Sequence, residues 1–145
     1  MTQATPAVRG LARRLLEQET LASERPGNAF AAQRALDKLR RHLATLVGVA
    51  GFQALVSRAL ALAKPESDWL EAVRVKSDGS LDGFVEAARE RAADEVAKGG
   101  AALLAQLLGL LVAFIGEGLT LRLVREAWSD ATLGEVRTDV KESQG

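Results

Sequence analysis

The sequence predicts an all-α fold, a compact bundle of four to five helices with a long, central apolar helix near the C-terminus. Three observations carry this expectation. Alanine and leucine dominate the 48% of the chain that is apolar, whereas aromatics make up only 4%, so helix formers are abundant and strand-favouring aromatics are scarce. Apolar positions recur every three to four residues through most of the chain. No charged residue occurs between Gly99 and Gly116. At 145 residues the chain is the size of one domain with a core of its own. The expected organisation is a single helical domain over 1–134, followed by a polar, flexible tail over 135–145.

Thr5-Pro6 opens the first helix. Threonine can cap free amides, and proline fits the first helical position. Val8, Leu11, Leu15 and Ala22 share a face, with Arg9, Arg13 and Glu17 largely opposite. Arg25-Pro26-Gly27 ends this element, and Asn28 caps the next. The second helix runs from about Ala29 to Val47, with Ala32, Leu36, Leu39, Leu43 and Leu46 inward. Arg34, Lys38 and Arg41 form a weak basic surface stripe on another face. Gly48 and Gly51 bracket a break or kink. A third, nearly all-apolar helix spans about Phe52 to Ala63, and Pro65 stops it.

Asp68-Trp69-Leu70-Glu71 has capping-box spacing and starts one helical turn. Val73 and Val75 alternate with Arg74 and Lys76 before a turn at Ser77-Asp78-Gly79-Ser80. Because an isolated hairpin is marginal, a structured loop is preferred here over a two-stranded ribbon. A fourth helix is expected from about Leu81 to Lys98, with Leu81, Val85, Ala88, Ala92 and Val96 on a narrow face. Gly99-Gly100 then separates it from the last helix, Ala101 to Trp128. No internal repeat occurs at the periods typical of solenoids.

The charge-free run just reaches the length of a transmembrane span. Four glycines, the immediate Glu117 and Arg122, and the lack of a basic flank favour a buried helix instead. Ala101, Ala105, Gly109 and Ala113 repeat every four residues and form a stripe along which another backbone can pack closely. Ala88 and Ala92 offer a matching small face. Glu117 and Arg58 are each the lone charge of an apolar stretch, which suggests an ion pair in the core or at a subunit interface. The alternative is that each helix keeps one edge in solvent.

Chemistry is sparse. The chain has no cysteine or tyrosine and one histidine, His42, so disulfides, thiolate metal sites and cysteine nucleophiles are excluded. Glu86, Glu90 and Asp94 repeat every four residues, but the matching acids and histidines of a carboxylate cage are missing, which favours a solvated acidic face. No phosphate-binding glycine loop occurs. No catalytic, metal or cofactor site is expected.

Nineteen basic residues balance nineteen acidic ones. Residues 1–46 carry eight Lys/Arg against four Asp/Glu, a weak excess for a nucleic-acid binder. Leu43 to Leu62 superficially resembles a helix-turn-helix, but its spacing is too long and it has few polar side chains for base edges. Arg9, Arg13 and Arg14 interrupt any signal-peptide core, so a cytoplasmic location is expected. The resulting expectation is a non-catalytic helical interaction or regulatory module. It would self-associate or bind a protein partner, because two nearly charge-free helices exceed what a small domain can cover. A membrane-associated protein inserting the helix around 101–121 is the alternative. A small nucleic-acid-contacting regulator is less favoured.

Overall fold

A computed structural model describes residues 4–22 and 28–128. The five α-helices are α1 (Pro6–Ala22), α2 (Asn28–Ala63), α3 (Phe84–Ala88), α4 (Ala93–Ile115) and α5 (Glu117–Ala127). Helices α1 and α2 pack on α4, and α5 packs on both α4 and α2. This is the expected all-α bundle. The tail at 135–145 lies outside the described residues.

Helix α1 begins as the sequence suggests, with Thr5 Oγ1 accepting a hydrogen bond from the Val8 amide at 3.3 Å. Its buried face is Ala12, Leu15, Leu16 and Glu19, while Val8 and Leu11 are half-buried. In α2 the inward ladder is Ala32, Leu36, Leu39 and Leu43. Leu46 departs from it and is 49% exposed, because the helix breaks two residues later. Gly48 holds φ 83° and ψ 162°, a conformation that L side chains rarely adopt. Beyond it, Phe52, Val56, Ala59, Leu60 and Ala63 renew a buried stripe.

Three boundaries differ from the sequence reading. Gly99-Gly100 does not separate two helices. Both residues lie inside α4, where the lack of a side chain is used for contact. A Cβ on Gly99 would come within 2.5 Å of the Trp69 ring, and one on Gly100 would come 3.2 Å from Ala32 Cβ. Trp69 therefore packs directly against the α4 backbone, where its Nε1 donates to the Glu95 carbonyl at 3.3 Å. It also tilts at 48° onto Phe84, with centroids 5.3 Å apart. The expected helix over Leu81–Lys98 is divided, with α3 ending at Ala88 and α4 starting at Ala93. The expected helix over Ala101–Trp128 is also divided, at Gly116 (φ 96°, ψ 156°).

The connection between the 3₁₀ turn Asp68–Ala72 and α3 is a short ribbon rather than the preferred loop. Strand β1 (Arg74–Val75) pairs antiparallel with β2 (Leu81–Asp82), in the register Arg74↔Asp82 and Val75↔Leu81. The ribbon is not isolated. Val73 and Leu81 are buried, and the Gly79 Cα lies so close to the Phe52 ring that a Cβ there would collide with it. Asp78 closes the turn by accepting from Ser80 N at 2.9 Å and Ser80 Oγ at 2.6 Å.

The two glycine corners reveal a repeat that no solenoid period captures. Gly48 and Gly116, 68 positions apart, share one backbone conformation. The sequence of exposed, intermediate and buried positions is identical along His42–Ala54 and Leu110–Arg122. Leu36, Leu39, Leu43 and Val56 are buried, as are their counterparts Leu104, Leu107, Leu111 and Val124. Ala32 touches its own counterpart, Gly100, as equivalent positions do across an isologous contact. The bundle is thus two helix–glycine–helix units facing each other, with α1 and the 64–88 segment added around them.

The glycine contact yields a stability test. Gly99→Ala is expected to destabilise by about 1–3 kcal/mol through overpacking against Trp69. Gly118→Ala, which meets open space in α5, should stabilise by up to ~1 kcal/mol through helix propensity. Paired urea-unfolding curves check both, and equal effects would contradict the contact.

Candidate functional site

A cleft of about 680 Å³ lies between α1 and α4, lined by Arg9, Arg13, Leu16, Glu17 and Thr20 on one side and Ala97, Lys98, Ala101 and Ala102 on the other, with Glu66 closing one end. Two features of the sequence create it. The α4 face that meets α1 carries only small residues at Ala97, Ala101 and Ala102, so the helices leave space between them. The α1 face that meets α4 carries long, charged side chains on either side of Leu16, and these stand at the rim.

At one end of the cleft Arg9 and Glu66 form a two-bond fork. Arg9 Nη1 donates to Oε1 at 2.8 Å and Nη2 to Oε2 at 3.1 Å. Gln106, fully buried in α4, donates from Nε2 to Glu66 Oε2 at 2.8 Å. The Arg9 hydrogen bonds hold the Glu66 carboxyl below its ordinary range, against the opposing effect of burial, with further help from Gln106 and the charge of Lys98. The same pairing holds the Arg9 guanidinium above its ordinary value. Gln106 is the lone side chain with hydrogen-bonding groups in the Gly99–Gly116 run. That isolation was the available signal for this site, since a buried amide needs partners, but its partners lie at Glu66 and, through it, Arg9.

A second network occupies the α1–α2 contact. Glu19 is 2% exposed. Arg34 Nε donates to its Oε1 at 3.1 Å and Arg34 Nη2 to its backbone carbonyl at 2.9 Å, while Lys38 Nζ lies 2.5 Å from Oε2. The Lys38 ammonium also stands over the ring of Trp128, 5.4 Å from the centroid, a cation–π geometry. The weak basic surface stripe is therefore corrected. Arg34 and Lys38 compensate a buried carboxylate, which the helical periodicity of α1 alone did not reveal, and Arg41 is left exposed.

The other sequence-derived residues separate. Arg58 and Glu117 are both exposed, and no ion pair joins them within the chain. Glu117 begins α5 immediately after Gly116, where the helix N-terminus favours a carboxylate without any cation nearby. Of the close-packing stripe, Ala105 and Gly109 are buried, Ala101 lines the cleft and Ala113 is exposed. The helix packed on α4 is α2, with α1 beside it. The proposed matching face is not the partner, since Ala92 is exposed. Glu86, Glu90 and Asp94 do not share a helix, because α3 ends before Glu90 and α4 begins after it. Among the described residues no group of three or more His, Asp or Glu is placed to hold a metal ion. His42 is half-buried, its Nδ1 3.0 Å from the Lys38 carbonyl.

Comparison with known protein families, curated proteins and solved structures returns no match.

The Glu66 fork makes stability depend on pH. Its folded-state value lies below that of the unfolded chain, so the fork stabilises above the ordinary carboxylate range of about 4.3. This contribution is lost as pH falls through the lowered value. Glu66→Gln is expected to cost about 1 kcal/mol at neutral pH and to flatten the fall in urea midpoint between neutral and acid. An unchanged acid limb would show that other carboxylates dominate it.

Proposed function

We propose that this protein is a non-catalytic helical interaction module that self-associates through the apolar surface at its glycine corners. The observation that carries this reading is the exposure of large apolar side chains there. Leu46 is 49% exposed and Val49 50% exposed beside Gly48, and Phe114 is 66% exposed beside Gly116. Each corner turns a largely apolar helix back at the surface, so its outermost apolar residues have no helix among the described residues to cover them. Exposed apolar surface of this kind is a common basis for association.

Charge favours a second copy over the other partners. No Lys or Arg occurs from Leu43 to Ser57 or from Gly99 to Leu121, so neither corner offers the cations that attract anionic headgroups. Both α2 and α4 are long and apolar enough to cross a membrane; 61% of the apolar stretch of α4 is buried within the bundle, against 28% of that in α2. Nucleic acid is disfavoured because Arg34 and Lys38 are committed to Glu19. A formal net charge of zero leaves little long-range repulsion between identical chains.

Sedimentation over a wide concentration range tests the reading. The unmodified chain is expected to form a defined oligomer. Phe114→Glu and Leu46→Glu, both surface changes, should weaken it about tenfold or more while leaving the helical circular-dichroism spectrum intact. A monomeric mass at every concentration would overturn self-association, and so would an oligomer insensitive to both substitutions. Sedimentation with anionic vesicles would instead support the membrane alternative.

A further inference from the structure

We infer that the α1–α4 cleft binds a small amphipathic monoanion, a hydrocarbon chain ending in one carboxylate, at a site separate from the apolar corners. Its volume, about 680 Å³, lies within the range of small-molecule sites. The floor is apolar, formed by the buried Leu16 and Ala102 and the half-buried Ala97 and Ala101. Thr20 also lines it, but its hydroxyl already donates to the Leu16 carbonyl at 2.9 Å. The floor therefore has few donors or acceptors for a sugar, a base or a peptide backbone, and the body of the ligand must be hydrocarbon.

The rim selects the head. Three cations, Arg9, Arg13 and Lys98, face two carboxylates, Glu17 and Glu66. Arg9 and Glu66 neutralise each other in the fork. Arg13 and Lys98 form no ion pair with any described residue and are exposed. With the fork cancelled, two cations and Glu17 remain, a balance of one positive charge. This favours one negative charge at the mouth and disfavours polyphosphates. Guanidinium and ammonium donors on opposite walls, one from α1 and one from α4, can share the two oxygens of a carboxylate. The short side chains at Ala97 and Ala101 then have a role beyond helix packing, because a longer residue at either position would fill the space.

The probe is dodecanoate below its micelle-forming concentration, titrated calorimetrically into the full chain. Dodecyltrimethylammonium, with the same chain and opposite charge, and acetate, with the head alone, serve as comparisons. Saturable one-to-one binding of dodecanoate is expected, at least tenfold tighter than the ammonium amphiphile, with none for acetate. The double substitution Arg13→Ala and Lys98→Ala removes two exposed residues and should weaken dodecanoate at least tenfold while leaving the helical circular-dichroism spectrum intact. Ala101→Leu should block it by filling the cleft, and Phe114→Glu should leave it unaffected. The inference is overturned if dodecanoate shows no saturable binding, if the cationic amphiphile binds equally well, or if the folded double variant binds dodecanoate as the unmodified chain does.

Discussion

Between Gly99 and Leu111, α4 buries every position except Ala101 and Leu110, which are partly covered. A helix apolar on nearly all sides has no face to give to water, so the chain must surround it. The other helices are arranged by that need. Helix α2 supplies its leucine ladder, α1 covers another side, and α5 folds back onto the structure from which it continues. The glycines of α4 make the arrangement dense, since they let the Trp69 ring and the Ala32 methyl approach the helix backbone directly. Interiors packed to this degree gain dispersion contacts that a looser bundle forfeits.

The same requirement is met twice along the chain. Each helix–glycine–helix unit contains a leucine ladder, a corner glycine at positive φ and a shorter returning helix, and the two units touch at equivalent positions. Such a unit cannot cover its own apolar face, and a second unit of like shape can. The corners remain at the edge of this mutual covering, so exposed apolar residues accumulate there while the ladders go inward. Leu46 and Phe114, counterparts in the two units, are both exposed for this shared reason.

Polar interactions are few and placed where a helix contact would otherwise bury a lone group. Glu19 is held between two cations from α2, and Gln106 gives its amide hydrogen to a carboxylate fixed by Arg9. In each case an isolated polar group inside an apolar contact would carry a large desolvation cost. A partner reached from another element offsets it. These contacts also set register. Glu19 with Arg34 and Lys38 defines how α1 lies on α2, and the Arg9–Glu66–Gln106 chain ties α1 to α4 through the segment that follows α2.

The local sequence determined the fold class, the start of α1 at Thr5-Pro6, the break at Gly48, the end of α2 before Pro65 and the amphipathic α5, where Leu121 and Val124 are expected inward and Arg122 and Arg125 outward; Val124 is buried, Leu121 only partly covered, and both arginines are exposed. These depend on periodicity and on caps and breakers that act within one or two turns. Whether a glycine ends a helix or serves as a contact surface was not local. Gly99-Gly100 and Gly116 look alike in sequence, yet the first pair lies under Trp69 and Ala32 within a helix, while Gly116 meets open space at a corner. The ribbon at 74–82 likewise exists because Phe52 lies against it. The fates of Glu19, Arg34, Lys38, Glu66 and Gln106, and the cleft beside them, were decided only when distant segments met. A side chain's charge is written in the sequence, but its partner is set by packing across the bundle.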